Sequence, residues 1–371
     1  MILKPFQAII PNLGLISSAD AFFNTVKNQY TEYLHNGFFK RSAQEAIYVY
    51  RLKSSEGIHK GIMTSTDVED FSNGRVLKHE NTLAAKEQQM MNLLLQNHAM
   101  VKPVLLAYDH VKDIDDFIDK VIVEDEPFFE IEFQQAHQVH TIWEINDGER
   151  LSVLFDLFRK KVKKSYIADG HHRVSTMVNL HKTQEESGVL ENPLTGIFSI
   201  YFSWKELSVY DYNRCIEAFQ LISPIKFMAF LTRYFKIKPL KHGRKPRSKH
   251  ELTMNMYGEW YRLKWKNSIL KKHEKDSVIF DADLLNEYVL QGILGIKNIR
   301  EDSRITYLSG IEGSTGMEDA VAKSQNNVGF CLYPIPYEDI KKVSEEGKVM
   351  PPKSTWFEPR VKNGLVTMEF S

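Results

Sequence analysis

Tyr166-Ile167-Ala168-Asp169-Gly170-His171-His172-Arg173 passes from an apolar run directly into Asp-Gly-His-His-Arg. The apolar residues predict a strand over 165–168, and the pattern that follows predicts a helix over 172–186, ended near Gly188. A strand that enters a helix through Asp-Gly is a recurring way to hold phosphate. The glycine permits a tight turn and close approach of a ligand to the backbone. The first amides of the helix are unsatisfied donors that carry partial positive charge. His171 and His172 add side-chain donors at the same end, and Arg173 offers a planar fork suited to phosphate. Asp169 is the natural ligand for Mg²⁺ or the natural base for a hydroxyl. Two other readings stay open from the residues alone. One is a plain helix start with Asp169 as N-cap and exposed histidines. The other is zinc on the adjacent histidines, although neighbours in sequence do not share a helix face and no HExxH spacing is present.

Upstream, an extended piece over 6–11 precedes a helical pattern over 18–34 and a strand over 46–52. A polar loop containing Asn73-Gly74 leads to Lys78-His79-Glu80-Asn81-Thr82. Thr82 suits the N-cap of a helix over 83–98, and strands are expected over 103–108 and 140–145. Asp147-Gly148 reads as a turn before a helix over 151–161. Downstream, 196–204 is a buried strand. This alternation predicts a mixed α/β, α+β architecture, with a site-bearing domain over 1–210 and a second α+β region over 211–371. In the second region, 241–250 is a basic loop and 254–266 a hairpin around Gly258. A helix, a strand over 328–333 and a short helix follow, and 350–370 is Pro-rich and then β-like. Gly310, Gly313 and Gly316 lack the lysine of a P-loop and mark a turn before a helix. No internal repeat or low-complexity tract is evident.

A chain of 371 residues with 43% hydrophobic content is long enough for two domains. Lys plus Arg and Asp plus Glu both number 48, so no global field draws the protein to nucleic acid or an anionic membrane. No apolar stretch approaches the roughly 18 residues that span a bilayer, and the first fifteen residues lack the h-region of a signal peptide. Cys215 and Cys331 form no CxxC and sit in apolar runs, so reduced buried thiols and a cytoplasmic location are expected.

Two further constellations accompany the turn. His79 and Glu80 stand just ahead of a helix start, His79 as a donor and Glu80 as a second acid; a solvated capping segment is the competing reading. Met350-Pro351-Pro352-Lys353-Ser354-Thr355-Trp356-Phe357-Glu358-Pro359 presents a lysine and two hydroxyls between prolines and aromatics. Lys353, Ser354 and Thr355 are its candidate substrate-binding residues.

The blocks Lys4-Pro5-Phe6-x-Ala8, Lys78-His79-Glu80-x-Thr82, Ile167 to Arg173, and Met350 to Pro359 with Gly364-Leu365 occur in this order. Together they resemble the bacterial and archaeal domain-of-unknown-function 1015 family. The Asp-Gly-His-His-Arg turn is also similar to the phosphate-binding turn of the ParB/sulfiredoxin-like superfamily, which includes the free serine kinases. The resemblance implies that Gly170, His171, His172 and Arg173 cradle the phosphates of ATP or ADP. It implies that Asp169 handles Mg²⁺ or the hydroxyl, with serine or phosphoserine as the small-molecule substrate. Glu80 is taken as the second catalytic acid from its own position ahead of the helix, and His172 as a further catalytic candidate. Val174-Ser175 replaces a Tyr-Glu pair associated with many members, and Glu358 stands where an aromatic is more usual. ParB-like DNA binding is not expected from a neutral chain without a helix-turn-helix. The expected function is a nucleotide-dependent phosphotransferase. A phosphatase in the same pocket and a non-catalytic nucleotide-binding regulator are the alternatives, and the oligomeric state is left open.

Overall fold

The computed structural model describes residues 1–82, 84–188, 194–220 and 222–370. Leu83, expected to open a helix, lies outside them. The chain divides into two compact units, Met1–Ser208 with Pro359–Ser371, and Val209–Glu358. Both mix strands and helices, in a mixed α/β fold.

The first unit is built on a mixed sheet of nine strands among the described residues. Its order is Val76–Leu77, Ser165–Asp169, Val104–Tyr108, Gly196–Ser203, Gly57–Asp67, Ile47–Ser54, Gln138–Ile145 and Phe129–Phe133, with Leu3–Lys4 paired to Gly57–Asp67. Val104–Tyr108 and Gly196–Ser203 are buried throughout and run parallel, as near-continuous apolar strands do when both faces are covered. The long strand Gly57–Asp67 has no counterpart in the sequence reading, because its Thr64-Ser65-Thr66 run looks like a loop. Its hydroxyls are satisfied internally: Thr64 Oγ1 donates to Lys4 O at 2.9 Å, and Thr66 Oγ1 lies 3.0 Å from the Tyr201 hydroxyl. Burying bonded hydroxyls costs little, so a polar strand can occupy mid-sheet. Helix Gly148–Lys161 begins where the sequence suggests a turn, with Asp147 accepting from the Arg150 N–H at 2.8 Å as its cap.

A smaller sheet orders Phe39–Arg41, Ala8–Pro11, Thr367–Glu369 and Ala99–Met100. It holds the end of the chain in the first unit, since Met368 pairs with both Ala8 and Met100.

In the second unit, six antiparallel strands run in the order Phe235–Leu240, Glu259–Trp265, Glu251–Met256, Asn327–Cys331, Tyr212–Glu217 and Ile305–Ser309. The expected hairpin turns at Tyr257-Gly258, both at positive φ. Phe227, Leu231, Leu252, Val289 and Phe330 lie in its main core. Helix Gly313–Ala322 packs Met317 and Val321 with Cys215 and Cys331 in a second cluster. Both cysteines are free and buried, as expected.

Candidate functional site

Strand Ser165–Asp169 lies between Val76–Leu77, to which it is parallel, and Val104–Tyr108, to which it is antiparallel. The register against Val104–Tyr108 shifts between Ile167 and Asp169. Such an irregularity re-aims a side chain at the end of a strand. Gly170 follows at φ +107°, ψ 24°, a conformation outside the small left-handed region open to other residues. Helix His171–Ser187 then starts without a side-chain cap, and its first backbone bond is Val174 N–H donating to Gly170 O at 3.0 Å. The amides of His171, His172 and Arg173 therefore have no partner within the helix itself.

Arg173 folds back over the turn. Its Nη2 donates to Asp169 Oδ2 at 2.8 Å and to Pro103 O at 3.2 Å. Lys102 Nζ lies 3.3 Å from the same Asp169 oxygen. A third cation comes from the chain's tail. Gly364 N–H donates to Val101 O at 2.6 Å, and Glu369 pairs with Ala99. This register brings Arg360 close enough to influence both Asp169 and Lys102. Burial pushes the Asp169 carboxyl up, but Arg173, Lys102 and Arg360 outweigh it and hold the group well below the usual carboxylate range. Burial lowers the Lys102 ammonium, with Asp169 opposing. Three cations thus attend one carboxylate at the start of a helix that has no side-chain cap.

His79 and Glu80 reach the same turn from the loop before helix Ala84–Asn97. The His79 and His171 rings meet edge to face, with centroids 4.5 Å apart and planes at 72°. Glu80 Oε2 is 3.8 Å from His171 Nδ1, and its side chain is 41% exposed. Burial pushes His171 down to about 4, partly offset by Asp169. Burial and His171 hold His79 well below the ordinary imidazole value. Both rings are therefore neutral at pH 7. Among the described residues, the buried His171 Nε2 and Arg173 Nε have no hydrogen-bond partner. His172, half-buried, is the second residue of the helix.

The structure thus brings His79, Glu80 and Asp169 to Arg173 together in one unit. Lys353, Ser354 and Thr355 belong to the second unit. There Lys353 Nζ sits 5.1 Å from the centroid of the Tyr212 ring, and Ser354 Oγ donates to Pro351 O at 2.7 Å. Lys102 and Arg360 do not stand out in the sequence. Lys102 stands in Lys-Pro ahead of an apolar strand, and Arg360 directly follows the Met350 to Pro359 block, which is the signal available for it. Glu87 is also missed by sequence reasoning. Side-chain bonds to Ser175 and Thr82 lower its carboxyl against a weaker effect of burial, with His172 and Lys78 adding to the lowering. Ser175, the departure noted after the turn, therefore faces an acid from the neighbouring helix.

The turn is a poor metal holder by itself. Asp169 Oδ2 already carries two cations, which Mg²⁺ at that atom would have to displace. Among the described residues, no cluster of three or more ligands includes Asp169.

The family model described as a protein of unknown function, DUF1015, matches residues 10–285. The chain belongs to the DUF1015 family. The match contains His79, Glu80, Lys102 and the whole turn of this DUF1015 protein, while Arg360 lies beyond it. No curated protein matches the chain. Solved structures similar in fold include SbnI with a C-terminal truncation from Staphylococcus aureus, at 10% identity and a TM-score of 0.41, covering 81% of this chain and 85% of that one. A free serine kinase in complex with AMP is 12% identical with a TM-score of 0.37, covering 82% and 92%. A conserved hypothetical protein from Pyrococcus furiosus is 11% identical with a TM-score of 0.38, covering 82% and 93%. At these scores the likenesses carry no functional weight. Among the described residues, no helix is long and apolar enough to cross a membrane.

Proposed function

We propose that the Asp169 to Arg173 turn binds the phosphates of ATP or ADP, and that the protein transfers a phosphoryl group to a small hydroxylated metabolite, with free serine the first candidate. One observation carries the reading: Arg173, Lys102 and Arg360 converge on Asp169 beside the uncapped start of a long helix. A helix cap requires no such excess of positive charge. Incoming phosphate oxygens would join the carboxylate as partners of the cations and accept from the amides of His171 to Arg173. Arg173 Nε, without a partner among the described residues, supplies one more donor.

Phosphoryl transfer needs mainly positioning and charge stabilisation. The P–O bond to the nucleotide breaks with its electron pair left on the nucleotide oxygen, whose charge the three cations offset. The substrate oxygen forms the new bond to phosphorus, and its proton passes to a carboxylate. Asp169, held ionised by its neighbours, is a weak base and serves as the anchor that orients Arg173 and Lys102. Glu80, more exposed and beside neutral His171, is assigned the proton. His79 supports His171 through its ring edge. The side-chain cations supply the charge stabilisation.

The test is incubation of the full chain with ATP or ADP, Mg²⁺ and an amino-acid pool, followed by ³¹P NMR and mass spectrometry. The expected result is a phosphorylated acceptor, lost in E80Q while nucleotide still binds. Release of inorganic phosphate alone would favour a phosphatase, and binding without turnover would leave a regulator and sink the transferase reading.

A further inference from the structure

Helix His171–Ser187 carries a second group of ligand-type side chains ten residues beyond the phosphate turn, on the order of 15 Å along its axis. His181 and Glu185 are one turn apart and share a face. The short helix Glu69–Ser72 sets Glu69 against them. His181 Nε2 is 3.4 Å from Glu185 Oε1 and 3.8 Å from Glu69 Oε1. One ligand atom from each of the three residues lies within 4.8 Å of the other two. Carboxylates near a histidine would mean little alone. Here His181 is 8% exposed as a residue, and neither buried ring nitrogen has a hydrogen-bond partner among the described residues. A closed-off ring aimed at two carboxylates without hydrogen-bond geometry to either is costly unless something else occupies the space between them.

We propose that Glu69, His181 and Glu185 bind a first-row divalent metal ion of the Zn²⁺ type. Zinc bonds of about 2.0–2.2 Å to imidazole nitrogen and carboxylate oxygen separate tetrahedral ligand atoms by about 3.4 Å. The distances of 3.4 and 3.8 Å reach that spacing with shifts of a few tenths of an ångström. The glutamate side chains, 62% and 57% exposed, have room to make them. The imidazole favours zinc over Mg²⁺ or Ca²⁺, which prefer oxygen alone, and the two carboxylates balance the metal's charge. Water completes the fourth position. The ion ties Glu69–Ser72 to the helix whose first turn forms the phosphate site, a structural role independent of the proposed transfer.

The experiment is equilibrium dialysis of the EDTA-treated full chain against ZnCl₂, with thermal midpoints measured in parallel. One zinc per chain is expected, with a higher midpoint when it binds. E69Q and E185Q alter exposed side chains and keep the fold, and each is expected to weaken zinc by at least about 100-fold, beyond the 10–100-fold usual for an outer-shell change. H181N abolishes the site, whereas H171N, which alters the phosphate turn, retains it. Absence of saturable binding, or the same zinc affinity in E69Q and E185Q as in the wild type, overturns the proposal and leaves His181 as no more than a neighbour of two surface glutamates.

Discussion

Gly170→Ala tests how tightly the turn is built. At φ +107° and ψ 24° the backbone lies outside the left-handed region that an alanine tolerates, and holding a non-glycine residue there costs on the order of 1–3 kcal/mol. The added Cβ would also meet Arg173 Nη2 at 2.8 Å, Nε at 3.1 Å and Cζ at 3.2 Å. The guanidinium is the movable end of its side chain, so it can yield. Yielding pulls Nη2 away from Asp169 Oδ2, at present 2.8 Å away. A hydrogen bond to a charged group is worth roughly 1.5–3 kcal/mol, the lower end applying here because the Asp169 side chain is 31% exposed. The expected outcome is a fold weaker by about 3 kcal/mol and a phosphate affinity lower by about tenfold, the equivalent of the hydrogen-bond share alone. A urea titration followed by fluorescence reads the first, and calorimetry with ADP reads the second. Because the affinity loss acts through Arg173, it should largely vanish when G170A is made in R173A. Wild-type stability in G170A, or an undiminished affinity loss in the R173A background, would refute the reasoning.

Acidification from pH 7 towards 4 is expected to destabilise the first unit, since unfolded His171 takes up a proton near its ordinary 6.5 while the folded ring resists until about 4. The stability from this ring is full above 6.5 and falls by about 3 kcal/mol as the pH drops to 4; H171N should flatten that part of a pH series of urea midpoints. Asp169 acts lower on the scale: its depressed carboxyl contributes stability above the ordinary carboxylate value that is lost only as the pH falls further, and D169N should remove that acid limb. Burial pushes the Cys215 thiol up to about 11 and Cys331 up to about 12, so iodoacetamide at pH 8 should label neither until urea unfolds the second unit, as intact-mass spectrometry will show.

The turn is legible in the sequence because its chemistry is local. An apolar strand, an Asp-Gly pair and a helix pattern occupy one continuous stretch, and His79 with Glu80 stand out as polar residues ahead of a helix. The cations around Asp169 are not legible in the same way. Lys102 is one lysine before a proline, and Arg360 is delivered by pairing between the tail and Ala99–Met100, a contact across more than half the chain. Strand Gly57–Asp67 escapes notice because its hydroxyls find partners in Lys4 and Tyr201, which local sequence cannot reveal. The return of residues 359–371 to the first unit depends on the same long-range pairing.

The central claim is that this cluster of positive charge binds phosphate, and titration calorimetry of ADP into the wild type and K102A, R173A and R360A tests it most directly. Each substitution should weaken ADP by about tenfold or more, with the wild-type affinity falling as salt rises and inorganic phosphate competing. Wild-type affinity in all three variants, or no binding of ADP, ATP or phosphate to the intact chain at low salt, would contradict the account.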